Sequence, residues 1–139
     1  MRRHLIPQLR YADAPRAIQF LCDAFGFTTH VVHAHPRDPN IILNAQLSFG
    51  GELLMLGSAT NHDDLQPIFA WKTPKQAGAV TMCIAVIVDD PNAHCEKALL
   101  AGATIIRAPT DNQEYPGRFY IAADIEGYVW TFTTYDPYL

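Results

Sequence analysis

The stretch "ADAPRAIQFLCDAFGFT", residues 12–28, has a second copy in the same chain, "VDDPNAHCEKALLAGAT", residues 88–104. Laid over one another at an offset of 76 residues, the two align Asp13 with Asp89, Pro15 with Pro91, Ala17 with Ala93, Gly26 with Gly102 and Thr28 with Thr104. The same offset, without a gap, lays "SFGGELLML" (48–56) over "DIEGYVWTF" (124–132) and Gly51 over Gly127. Most apolar positions agree only in kind. Prolines and glycines constrain backbone geometry, so a shared frame of them implies two copies of one supersecondary unit.

Each copy reads as β-α-β-β-β. "HLIPQLRYA" (4–12) alternates as a strand, with Pro7 marking a free edge or a bulge. Asp13 suits a cap region and Pro15 a first helical turn; Ala17, Ile18, Leu21, Ala24 and Phe25 keep helical spacing, and Gly26 stops the helix. "FTTHVVHAH", "ILNAQLSFG" and "ELLMLG" are three strands, with Gly50-Gly51 as a tight hairpin. In the second copy "VTMCIAVIV" precedes a helix opened by Asp89, Asp90 and Pro91 and stopped by Gly102; "TIIRAP", "RFYIAAD" and "YVWTFTT" follow, with Glu126-Gly127 at the last hairpin. The fold class is α+β, a single domain over 1–139 with repeats at about 1–57 and 80–135. The Pro-containing connector at about 58–79 is long for a structureless loop, so it carries function or docks on something.

Bulk properties exclude several classes. At 139 residues, 49% hydrophobic and 17% charged, the chain is globular and buries roughly two thirds of its unfolded surface without a staple. A net charge of −4 with no basic run argues against nucleic acid, and neither a signal peptide nor a membrane span is expected, so the location expected is cytoplasmic. Three cysteines, Cys22, Cys83 and Cys95, with no CxxC motif, read as reduced thiols. No Ser-His-Asp arrangement, phosphate-binding glycine loop or dinucleotide fingerprint occurs.

Paired β-α-β-β-β units with "YADAPRAIQFLCDAFGF", "VDDPNAHCEKALLAGA" and "DIEGYVWTF" resemble the vicinal oxygen chelate superfamily, which includes glyoxalase I, the extradiol dioxygenases and the bleomycin-resistance proteins. The last motif departs from the family's usual ending only by carrying Ile125 where a proline is usual. The resemblance implies that the two units curl into a cup-like mixed sheet with helices on its outer face. Alternation then sends Gln8, Arg10, Asn44, Gln46, Ser48, Arg118 and Tyr120 into the cup, and Leu9, Leu47, Phe49, Phe119, Ile121, Trp130 and Phe132 toward the helices.

Metal-dependent relatives hold a divalent ion through a His or Gln on the first strand of each unit and a Glu on the last. Counting seven residues back from Asp13 and Asp89, and four on from Gly51 and Gly127, gives Ile6, Met82, Met55 and Thr131. Thioether and alkyl groups do not make a site for zinc, manganese or ferrous iron, so no metal and no cofactor are expected. A slip of two residues would bring in His4 or Gln8 but no carboxylate.

What remains is an apolar cup with a few orienting polar groups, the composition of a small-molecule pocket. The candidate ligand-binding residues are Gln8, Arg10, Asn44, Gln46, Met55, Trp71, Met82, Arg118, Tyr120 and Thr131. Arg10 and Arg118 are candidates for holding an anionic group; Phe69 and Trp71 in the connector for closing over a ligand; Glu114 and Tyr115 for the mouth. The reading that follows is a metal-free binding protein for an aromatic or planar molecule, like the bleomycin-resistance group, acting as a homodimer because the resemblance places ligand clefts between subunits and pairing covers sheet edges. The alternatives are a metal-independent enzyme on the same scaffold and a metal-dependent lyase or dioxygenase.

Overall fold

The computed structural model describes residues 2–60 and 70–139. The element order is β1 (Gln8–Tyr11), α1 (Ala14–Phe25), β2 (Thr28–His35), β3 (Asp38–Phe49), β4 (Glu52–Ser58), α2 (Pro74–Ala77), β5 (Cys83–Ile87), α3 (Pro91–Leu100), β6 (Thr104–Asp111), β7 (Arg118–Ala123) and β8 (Val129–Thr133). Two four-stranded mixed sheets result, ordered β1-β4-β3-β2 and β5-β8-β7-β6. In each, the first strand runs parallel to the last and the other pairs are antiparallel. α1 packs on the first sheet and α3 on the second, and the two helices touch each other.

Local chemistry accounts for the boundaries. β1 begins only after Pro7, which has no N–H to give; its carbonyl instead accepts from Met55 N at 2.9 Å. Asp13 caps α1 by accepting from Arg16 N at 3.2 Å, and Gly26, at φ 85°, ends it. In the second unit the capping residue is Asp90, which accepts from Ala93 N at 3.1 Å, one place after Asp89.

That single place marks a drift in the repeat. Between β4 and β8 the offset of 76 holds: Leu54 and Leu56 correspond to Trp130 and Phe132. β1 and β5 are 77 apart, since Leu9 pairs with Leu56 and Val86 with Phe132. β3 and β7 are 75 apart, since Leu47 pairs with Leu54 and Ala122 with Trp130. The cause lies in the hairpins. Phe49 pairs with Glu52 across the two residues Gly50-Gly51, whereas Ala123 pairs with Val129 across five, Asp124–Tyr128. Passing from an even to an odd loop turns every side chain of β7 to the other face of its sheet.

The sequence expectation for β7 is therefore reversed. Tyr120 and Ala122 are fully buried on the helix-facing side, while Phe119 and Ile121 lie half-buried on the other. Of the other residues expected toward the helices, Leu9, Leu47, Trp130 and Phe132 are buried, and Phe49 packs half-buried against that core. Trp130 and Phe132 of the second unit pack on Phe25 of the first, with ring centroids 5.5 and 4.7 Å apart, so the two units share one core. Burying a side chain of phenylalanine size contributes about 1.5–3 kcal/mol, and these aromatics couple the halves.

Candidate functional site

Each helix covers one face of its sheet, leaving the opposite face as the candidate binding surface. On the first sheet the strand pairing aligns Gln8, Met55 and Gln46 in one row and Arg10 with Gly57 in the next, with Asn44 two residues before Gln46 on β3. Gln46 Nε2 donates to Asn44 Oδ1 at 3.4 Å, so the two carboxamides are neighbours. On the second sheet the corresponding row is Ala85, Thr131 and Ile121, followed by Ile87, Thr133 and Phe119.

Three clefts border these faces. One of about 320 Å³ is lined by Gln8, Arg10, Trp71, Thr81, Met82 and Tyr128. Here the described end of the connector, residues 70–79, docks: Trp71 lies against Arg10, whose guanidinium carbon is 4.5 Å from the indole centroid and whose Nη1 donates to Ser58 O at 3.2 Å. The short helix α2 anchors this segment through a capping box between Thr73 and Gln76. Lys75 N donates to Glu126 O at 3.3 Å, and a Cβ on Gly127 would come within 3.2 Å of Pro74. A second cleft, about 450 Å³, is lined by Phe119, Ile121, Thr131, Thr133, Tyr115 and Tyr135, the two tyrosine rings 4.5 Å apart. The third, about 550 Å³, is bounded by Leu5, Pro7, Leu53, Ala85, Ile87 and Asp136 and reaches Phe27 and Trp130 of the core. Of the sequence candidates, Gln8, Arg10, Trp71 and Met82 thus share the connector cleft, Asn44, Gln46 and Met55 share the adjoining sheet face, and Thr131 lies on the second sheet. Phe69 falls outside the described residues.

Two candidates are placed elsewhere. The parity of β7 carries Arg118 toward α3, where Nε donates to Asn92 Oδ1 at 2.9 Å, Nη1 pairs with Asp111 Oδ1 at 3.1 Å and Nη2 donates to Pro109 O at 3.1 Å. It ties the β6–β7 segment to the helix and does not point to the open face. Tyr120 is enclosed between the second sheet and α3: its hydroxyl is 2.5 Å from His94 Nδ1, and His94 Nε2 is 2.9 Å from Phe25 O. A carbonyl only accepts, so Nε2 carries the proton and Tyr120 donates to Nδ1. Burial lowers the His94 pKa, opposed by the bond to Phe25 and assisted by nearby Lys97. Burial also raises the Tyr120 pKa, and the bond between the two holds both on the helix side of the sheet.

The positions counted from the helix caps shift in one place: Asp13 caps α1, which keeps Ile6, whereas Asp90 caps α3, so seven back is Cys83 and not Met82. An alkyl group, a thioether, a thiol and a hydroxyl (Ile6, Met55, Cys83 and Thr131) without a carboxylate do not fit a divalent ion of the oxygen- and imidazole-bound kind. Among the described residues no group of three or more His, Cys, Asp or Glu side chains is placed to hold one.

A network that the motif search did not single out joins the halves. Asp124, 4% exposed, accepts from Tyr11 Oη at 2.7 Å, Trp130 Nε1 at 3.1 Å, Glu126 N at 3.0 Å and Tyr128 N at 3.1 Å. Glu126 accepts from Ala12 N at 2.5 Å and Asp13 N at 3.0 Å, and Tyr128 Oη donates to Arg10 O at 2.7 Å. The signal was present in "DIEGYVWTF": polar residues between strands must satisfy something, and here it is the backbone entering α1.

Comparison with known proteins agrees with this geometry. The family model Glyoxalase/Bleomycin resistance protein/Dioxygenase superfamily matches residues 3–132. An uncharacterised Mycobacterium bovis protein, Mb0911c, is 31% identical over 129 residues, which are 91% of this chain and 80% of that protein. The crystal structure of TioX from Micromonospora sp. ML1 superposes with a TM-score of 0.68 at 27% identity, covering 94% of both chains. Glyoxalase I from Zea mays gives a TM-score of 0.73 at 23% identity over 96% of this chain and 44% of that one, a likeness of fold.

Proposed function

Because this chain belongs to the Glyoxalase/Bleomycin resistance protein/Dioxygenase superfamily, we propose that it is a metal-free protein that binds a flat, aromatic small molecule against its open sheet faces, in a cleft completed by a second copy of the chain. The observation that carries this reading is the composition of those faces. Gln8, Gln46, Asn44 and Arg10 offer polar groups, Met55, Ile121 and Phe119 offer apolar surface, and the positions that bear metal elsewhere in the superfamily hold no carboxylate. An apolar lining with a few convergent polar groups is the usual make-up of a small-molecule site. The titratable pair His94–Tyr120 lies on the helix side of the second sheet, away from the open faces, which favours binding over acid–base catalysis at those faces.

Pairing of copies is supported by β1 and β5, each an edge strand of its sheet, and by exposed apolar residues before and at the end of β5: Val80, Met82 and Ile87. The test is elemental analysis of untagged, chelator-free protein read against its native mass, followed by a thermal-shift screen of flat aromatic compounds. A metal-free dimer stabilised by members of that screen is expected. Near-stoichiometric zinc, manganese, nickel or iron would overturn the metal-free reading, and a monomer would overturn the shared cleft.

A further inference from the structure

The two open faces differ in chemistry although their backbones repeat. The central row of the first sheet, Gln8–Met55–Gln46, flanks a thioether with two primary carboxamides, and Asn44 adds a third beside Gln46. The equivalent row of the second sheet, Ala85–Thr131–Ile121, offers a single hydroxyl, and the next adds Phe119. A carboxamide presents one acceptor and two donors in a plane, so it pairs edge to edge with a group that carries a donor and an acceptor side by side. Ile121 and Phe119 reward burial of apolar surface without regard to direction.

We propose that the two faces divide recognition between them: Gln8 and Gln46 read a neutral donor–acceptor edge, while Ile121, Phe119 and Thr131 cover the ring that carries it. The ligand is thus a flat ring with a lactam or carboxamide edge. This rests on the reading that both faces contact one bound molecule. A neutral edge fits better than an anion, because the cationic group of this face, Arg10, already lies against Trp71 and donates to Ser58 O. The centre of the face holds amides rather than charges.

The test uses three probes on one bicyclic aromatic frame, titrated calorimetrically into the intact protein: isocarbostyril (a lactam), isoquinoline (the same frame without the N–H and C=O pair) and naphthoate (an anion). Isocarbostyril is expected to bind at least about tenfold more tightly than the others, the size of one or two net hydrogen bonds. Gln46→Leu and, separately, the exposed Gln8→Leu should reduce isocarbostyril to the level of isoquinoline and leave isoquinoline unchanged. Ile121→Ala should weaken all three by a similar factor, about tenfold. Equal binding of the three probes, or a lactam preference that survives both glutamine variants, overturns the division of labour while the binding reading stands. Tightest binding of naphthoate overturns the neutral edge. Failure of all three to bind overturns the proposal and the binding reading together.

Discussion

Asp124 is a single carboxylate that satisfies Tyr11, Trp130 and two backbone N–H groups while almost wholly buried. In Asp124→Asn an NH₂ must face one pair of those donors. Loss of charge-assisted bonds with a donor left unpaired should cost about 3 kcal/mol, read as a lower midpoint in urea unfolding. Arg118→Ala removes the ties to Asn92, Asp111 and Pro109 at a partly exposed site. Stability should fall by about 1 kcal/mol, with no change in affinity for any ligand that binds the open faces. His94 governs a pH effect. Its pKa is lowered by burial, so the folded chain holds fewer protons on it than the unfolded chain. Its stabilising contribution is complete above the ordinary value of 6.5 and is lost as pH falls from there through the folded value. The buried Asp124 has the opposite sign: its carboxyl lies above the ordinary 3.8, raised by burial against its hydrogen bonds, so it favours the fold as acid is added in that lower window. The thermal midpoint should therefore decline between pH 7 and 5, and His94→Phe should flatten that slope even though it strands the Tyr120 hydroxyl.

At the scale of elements, helices and strand positions could be read from the chain; the facing of β7 could not. Caps, prolines and glycines placed α1 and α3, and alternation placed the strands, because these are local preferences of the backbone. The face presented by β7 depends on whether the hairpin to β8 closes through an even or odd number of residues. Gly51 and Gly127 align without showing that difference: Glu126-Gly127 reads as a tight hairpin, yet five residues form the loop because Asp124 and Glu126 bond to the other unit. Substitution of neighbours tests this parity. Ile121→Lys, on the open face, should change stability by less than about 1 kcal/mol, whereas Ala122→Leu, on the fully buried face, should overpack the core and cost about 1–3 kcal/mol, both measured by chemical unfolding. The described end of the connector, residues 70–79, is the second segment to gain definition, since α2 rests on the β7–β8 loop. Gly127→Ala, at φ 91° with Pro74 and Lys75 against the new Cβ, should destabilise the protein by at least about 1 kcal/mol and expose Trp71 to quenching by iodide.

For the whole molecule, the two units are joined by one aromatic core around Phe25, Trp130 and Phe132 and by the Tyr11–Asp124 and Glu126–α1 bonds, not by a strand pair between sheets. The buried side chains of both units form one cluster, so unfolding should be a single transition, with tryptophan fluorescence and far-ultraviolet circular dichroism giving the same midpoint. Separate midpoints would mean that the halves melt independently. No described helix is long and apolar enough to cross a membrane. The sequence by itself determined the duplicated β-α-β-β-β plan, the superfamily and the lack of carboxylates at the positions that bear metal in it, because glycine, proline and periodicity act over short range and survive in the order of residues. Tertiary structure decided which side chains share a face. It withdrew Tyr120 and Arg118 into the helix side, brought Ile121 and Phe119 out, and set Trp71 on Arg10. Those outcomes depend on loop parity and on contacts between residues some 60 to 120 positions apart, for which a chain carries no local signal.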